Sequence, residues 1–251
     1  WHAVGCLAAM CAGAIGLAFW LAYLVTANEV FGEVATRIGT FGLLVPVFFT
    51  VAHRMIPFFA ASALPEYEAW RPLWALMAGW VLFGLQLALP PHWLWISDLP
   101  LFLLTLVLFV RWLPGRNMPP LLLVLFAGLA WLPLAFALYA AQSITLAISG
   151  QVVLGKAPAH ALFVGFFGSI LVAMVTRVTQ GHSGRPLKLP PVAAYTFATL
   201  QIVCVVRIGA ELASDWLAWQ AIAATGWLLA FIPWVIWSAR IYGSPRIDGR
   251  P

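Results

Sequence analysis

"HALFVGFFGSILVAMVTRVTQGHSGRPL", residues 160–187, decides how this chain is read. Between its two histidines, His160 and His182, Arg177 is the one charged residue. A helix needs about 20 largely apolar residues to cross the hydrocarbon of a bilayer, and this run supplies them. At about 1.5 Å of rise per residue, histidines 22 positions apart stand roughly 33 Å from each other. They cannot ligate one metal ion.

The rest of the chain is built in the same way. Apolar residues make up 63% and charged residues 8%, with a mean hydropathy of +0.96. A soluble domain carries about a quarter charged residues, so the solvent for most of this surface is lipid. The net charge of +5 then concerns membrane topology, not nucleic acid. Fourteen Trp fit the interfacial belts of a membrane protein. Cys6, Cys11 and Cys204 fall within apolar runs without metal-site spacing and read as buried, inert thiols.

Eight runs qualify as spans or nearly do: 3–26, 34–52, 72–89, 98–113, 120–148, 158–179, 191–213 and 216–238. Pro- and Gly-rich connections such as "LPGRNMPP" at 113–120 separate them. The expected fold is all-α: one polytopic transmembrane helical bundle of eight spans over 1–251. Sorting the loop cations by side puts Arg54, Arg71, Arg111, Arg116, Arg177, Arg185, Lys188, Arg240, Arg246 and Arg250 together, against only Arg37 and Lys156. The positive-inside rule makes the richer side, with the C-terminus, cytoplasmic. Arg207 lies inside the seventh run, one helical turn from Glu211, a spacing that allows an ion pair. The chain opens at Trp1 directly into a span, which reads as the later part of a longer protein.

His2, His53 and His182 fall at cytoplasmic helix ends, and His92 and His160 at the outer side. Each has a plain reading as an interfacial residue. Three in one layer, with Arg54, Arg177 and Arg185 beside them, also suit a haem or metal site. Imidazole ligates haem iron and copper, and arginine pairs with propionates. Around His160, small residues at Ala161, Gly165, Gly168, Ser169, Val172, Thr176 and Thr179 predict a face on which another helix packs closely.

Three stretches, "FFTVAHRMIPFFA" at 48–60, residues 157–187 and the ending "PRIDGRP", resemble the NnrS family of bacterial inner-membrane proteins. The resemblance implies haem and copper as cofactors and a link to nitric-oxide stress and denitrification. Family members span the membrane about twelve times, each crossing taking about 20 apolar residues, so this chain corresponds to their C-terminal part. His160 matches the family's "HAL" segment, His182 and Arg185 its "GH.GRPL" segment, and Arg54 and Pro57 its "R.IPFF" segment. His53 stands where many relatives carry a different residue. The implied metal ligands are drawn from His160, His182, His53 and His2, with Arg54, Arg177 and Arg185 near propionates; no catalytic residue is identified. The implied partners are the lipid bilayer and nitric oxide or another small ligand. A transporter or channel, with Arg207, Glu211 and the histidines as its pathway, and a metal- or haem-delivery protein remain alternatives.

Overall fold

The computed structural model describes residues 1–115 and 117–249; Arg116 and Arg250, counted among the loop cations, lie outside the described residues. Among these residues the protein is all-helical, and seven helical segments are long and apolar enough to cross a membrane. An eighth apolar helix, Leu73–Ala88, is shorter. The protein is therefore a multi-pass helical membrane protein. The chain divides into two compact units, Trp1–Trp112 with Ser143–Gly150, and Leu113–Gln142 with Gln151 onward.

In the first unit, α1 (His2–Thr26) turns into α2 (Glu29–Arg37) through Ala27 and Asn28. The Asn28 side chain accepts the Val30 N–H at 3.0 Å and caps α2. α2 then runs without a break through a π-helical stretch, Ile38–Leu44, into α3 (Val45–Ala63). The run read as 34–52 is thus part of a 35-residue helical segment, Glu29–Ala63. The polar "HR" pair at 53–54 does not end it, because His53 turns inward and is 1% exposed. His53 therefore sits within α3, not at its end. α4 (Leu73–Ala88) packs on α3 and on α5 (Trp95–Trp112). Phe49 and Phe83 meet edge to face at 5.4 Å in this core. Trp112 is buried and ties down the α3–α4 loop, donating its indole N–H to the Trp70 carbonyl at 2.7 Å and accepting Tyr67 Oη at 2.9 Å on its own carbonyl.

In the second unit, α6 (Pro120–Leu129) gives way at Ala130 to α7 (Trp131–Ser149), whose residues from Ser143 onward count with the first unit. Pro133 lies four residues beyond Leu129; its ring crowds that carbonyl and it has no N–H to offer. α8 (Ala157–His160) passes through a second π-helical stretch, Ala161–Gly168, into α9 (Ser169–His182). α10 (Pro191–Ala210) and α11 (Trp216–Tyr242) form a hairpin, with α10 against the second π stretch and α9. The small-residue face expected here is real: Ala161, Ser169, Val172, Thr176 and Thr179 are all buried. A Cβ on Gly165 would lie 2.5 Å from the Trp131 ring, and one on Gly128 2.8 Å from Ser169 Cβ. Polar side chains bridge the helices along this face. Trp131 Nε1 donates to Gln201 Oε1 (2.6 Å), Gln201 Nε2 to Ser169 Oγ (2.8 Å), and Trp234 Nε1 to Thr176 Oγ1 (2.9 Å).

Candidate functional site

In the first unit α1 and α3 bring two of the candidate ligands together. His2 Nε2 lies 3.2 Å from His53 Nδ1, and the other His53 nitrogen, Nε2, lies 3.1 Å from the Pro72 carbonyl oxygen. A carbonyl only accepts, so Nε2 carries the His53 proton and the neutral ring's lone pair on Nδ1 faces His2. Two arrangements follow. In one, His2 donates from Nε2 to His53. In the other, both lone pairs point into the gap, where a cation can join them. The 3.2 Å separation is that of a hydrogen bond, and the same two nitrogens are the ones that would hold a cation. A ligating imidazole whose second nitrogen is fixed by a backbone carbonyl is the usual supporting arrangement of metal sites. The edge of the Trp112 ring closes one side of His53, with centroids 5.9 Å apart. Arg54 and Arg71 lie within electrostatic reach of His2, and their positive charge opposes a cation placed there. Among the described residues no group of three or more His, Cys, Asp or Glu is placed to hold a metal ion.

In the second unit His182 is the last residue of α9, followed by Ser183, Gly184 and Arg185. Gly184 takes φ +71°. The Arg185 N–H returns to the Gln180 carbonyl (2.9 Å) and the Gly184 N–H to the Gly181 carbonyl (3.4 Å), which is the glycine-dependent way of closing a helix. This turn fixes the Arg185 backbone and leaves His182 exposed. The C-terminal "PRID" segment folds back onto it. The Ile247 N–H donates to the Ser183 carbonyl at 3.2 Å, and Arg185 Nη2 donates to Ser244 Oγ at 3.4 Å. Arg246 and Asp248 pair through two bonds of 2.9 and 2.7 Å. Two stretches far apart in sequence, 182–185 and 244–248, are thus one structural element. Within it the Arg185 Nη1 nitrogen is buried with no acceptor. Leaving a buried guanidinium nitrogen unpaired is costly, and a carboxylate is the group that would satisfy it. Arg177 is half-buried on α9.

His160 is held differently. Its Nε2 lies 3.1 Å from Glu211 Oε1, and Glu211 Oε2 accepts the Lys156 N–H at 3.0 Å. Gly155, at φ +51°, makes this possible, since a Cβ there would stand 2.5 Å from Glu211 Oε2. Burial works to raise the Glu211 carboxyl, but the Lys156 N–H, the His160 ring and the Arg207 charge outweigh it and hold it below the ordinary carboxylate range. The ion pair expected between Arg207 and Glu211 is not formed. Glu211 is committed to His160 and the Gly155–Lys156 backbone, which leaves Arg207 beyond ion-pair distance.

His92 is exposed and stacks tilted on Trp93, 5.6 Å between ring centroids. Sequence reasoning passed over Asp98 and Gln86. Both are buried in the first unit, where the Gln86 amide donates to Asp98 and Ser143 adds a second side-chain hydrogen bond. Arg37 sits near Asp98 but spends its guanidinium on the Leu89 carbonyl at the end of α4. The signal that finds this pair is a polar residue in each of two adjoining apolar runs.

No curated protein and no solved structure matches this chain. A family model described as NnrS protein matches residues 1–246. With eight apolar helices, the "GHSGR" turn and the C-terminal segment seated on it, the chain belongs to the NnrS family, a family of membrane proteins linked to the response to nitric oxide.

Proposed function

We propose that this protein holds copper and haem in the bacterial inner membrane and uses them to bind nitric oxide or a similar small ligand. Copper is assigned to His2 and His53, and haem to His182 with Arg185. The observation that carries the reading is the His2–His53 pair, 3.2 Å between nitrogens with His53 anchored on Pro72. The charges of Arg54 and Arg71 oppose a singly charged occupant such as cuprous copper less than a divalent ion.

The residues of the second unit fit a haem in two respects. His182 offers an unshielded imidazole, and the buried Arg185 Nη1 awaits a carboxylate. A haem held there would supply an iron able to bind nitric oxide, and copper would supply one-electron chemistry. The chain's own part is to orient. The Pro72 carbonyl fixes the His53 tautomer, and the Gly184 turn fixes the Arg185 backbone. His160, paired with Glu211, is assigned to neither cofactor in this arrangement. The asymmetry of the loop cations supports a cytoplasmic C-terminus.

Single alanine variants of the full-length protein test the assignment by metal analysis and optical spectra. His2→Ala and His53→Ala should each lose copper and keep the haem spectrum. His182→Ala should do the reverse. Loss of the same cofactor in all three variants would overturn the two-site reading. Retention of both in all three would return the histidines to interfacial roles.

A further inference from the structure

A cavity of about 430 Å³ in the second unit is lined by Val164 from the π stretch, Val203 and Arg207 from α10, and Gln220, Ala223, Ala224, Trp227 and Leu228 from α11. Its size falls within the range of small-molecule sites, about 300–1,000 Å³. The lining is ordered by polarity. Arg207 lies one turn from the end of α10, and Gln220 one turn from the start of α11, so both sit at the same end of the hairpin. From Gln220 the wall continues through Ala223, Ala224, Trp227 and Leu228, about 12 Å along the helix, with apolar side chains only. Ala223 and Ala224 provide the depth, since larger side chains there would fill the space.

Arg207 has no hydrogen bond or ion pair among the described residues. Its natural partner on the same helix, Glu211, is taken by His160 and the Lys156 N–H. The Arg207 charge acts on Glu211 through space, but its guanidinium makes no direct bond to that carboxylate, and a guanidinium one turn inside a spanning helix is a functional candidate in a membrane protein. Trp227 and Leu228 are also substantially exposed, so the apolar part of the cavity opens sideways toward lipid.

We propose that this cavity binds one anionic phospholipid, its phosphate on Arg207 and Gln220 and the start of an acyl chain along Ala223, Ala224, Trp227 and Leu228. The guanidinium fork matches a phosphate with two parallel hydrogen bonds. Cation and apolar wall together select against both a zwitterionic lipid, whose own ammonium competes, and a soluble anion, which gains nothing from the wall. The site is independent of the copper and haem assignments.

The full-length protein in neutral detergent micelles is titrated with brominated phosphatidylglycerol or brominated phosphatidylcholine, following tryptophan fluorescence. Bromine quenches indole at short range, so a saturable component with phosphatidylglycerol, absent in Trp227→Phe, is the expected signature. Arg207→Gln should weaken that component roughly tenfold, and Arg207→Lys less, because charge survives and the fork does not. Ala224→Phe, which keeps Arg207 and fills the cavity, should remove the component as well and decides the matter if Arg207→Gln fails to fold. Equal quenching by the two lipids, an unchanged Ala224→Phe protein, or displacement by inorganic phosphate alone would overturn the proposal.

Discussion

At Glu211 three partners converge on one carboxylate, and their combined effect has a sign that can be measured. The folded carboxyl lies below its ordinary value of 4.5. Its contribution to stability is therefore complete above that value and disappears as the pH falls through the lower, folded value. Thermal melts should show a step in acid that Glu211→Gln abolishes. A step on the alkaline side would mean that the clasp depends on another group. Tyr67 tests burial instead, which pushes its hydroxyl up to about 12, so it remains a donor to Trp112 throughout the physiological range. Tyr67→Phe should cost about 1 kcal/mol, read as a lowered melting temperature. Neither partnership was legible in the sequence. The Arg207–Glu211 spacing invites an ion pair, but spacing along one helix cannot reveal that residues 155–156 arrive to claim the carboxylate. The His2–His53 pair is hidden for the same reason, since 51 residues separate its members.

Helices were legible wherever the apolar run was long, and their joints were not. The periodicity that marks a span does not register a π stretch, which keeps the composition of the helix and changes only its winding. Nor does it register that α3 continues past His53, because a buried histidine resembles an interfacial one until its neighbours are known. The small-residue face of α9 was readable, since close approach demands small side chains whatever the local winding. Gly165→Leu and Gly128→Leu should each destabilise the protein by about 1–3 kcal/mol, while His92→Ala, at an exposed site, should melt like the parent. Equal melting of all three would remove α9 from the centre of its unit. Gly165 should be the more sensitive, because its obstacle is the face of a large indole that already bonds Gln201.

For the molecule as a whole, the membrane class followed from the solvent, and seven of the eight runs read as spans became helices long enough to cross, Leu73–Ala88 being the shorter one. With so few charges, length in the apolar runs was sufficient. The asymmetry of the loop cations yields a test that uses no cofactor: a reporter active only outside the cytoplasm, fused at the C-terminus, should be silent. Activity would invert the assignment of both ends of every helix. The division into two units was not legible, because every span has much the same composition.

The π stretch at 161–168 also makes this part of the gene unusually tolerant of a lost codon. A helix wound with wider turns holds more residues than an α-helix ladder requires, so losing one codon there lets the backbone bonds re-form in the tighter pattern. A wide turn and a tight one close the same full circle, so the residues downstream keep their faces, whereas a codon lost from the regular helix 169–182 turns every later residue by about 100°. In that second case His182, Arg185 and the surface that receives the C-terminal segment turn together, away from α10 and α11. In-frame single-codon deletions within 169–176 should therefore yield a protein that inserts and remains helical yet cannot seat its own C-terminus, a phenotype detectable as new protease cleavage beyond Tyr242, and deletions within 161–168 should not.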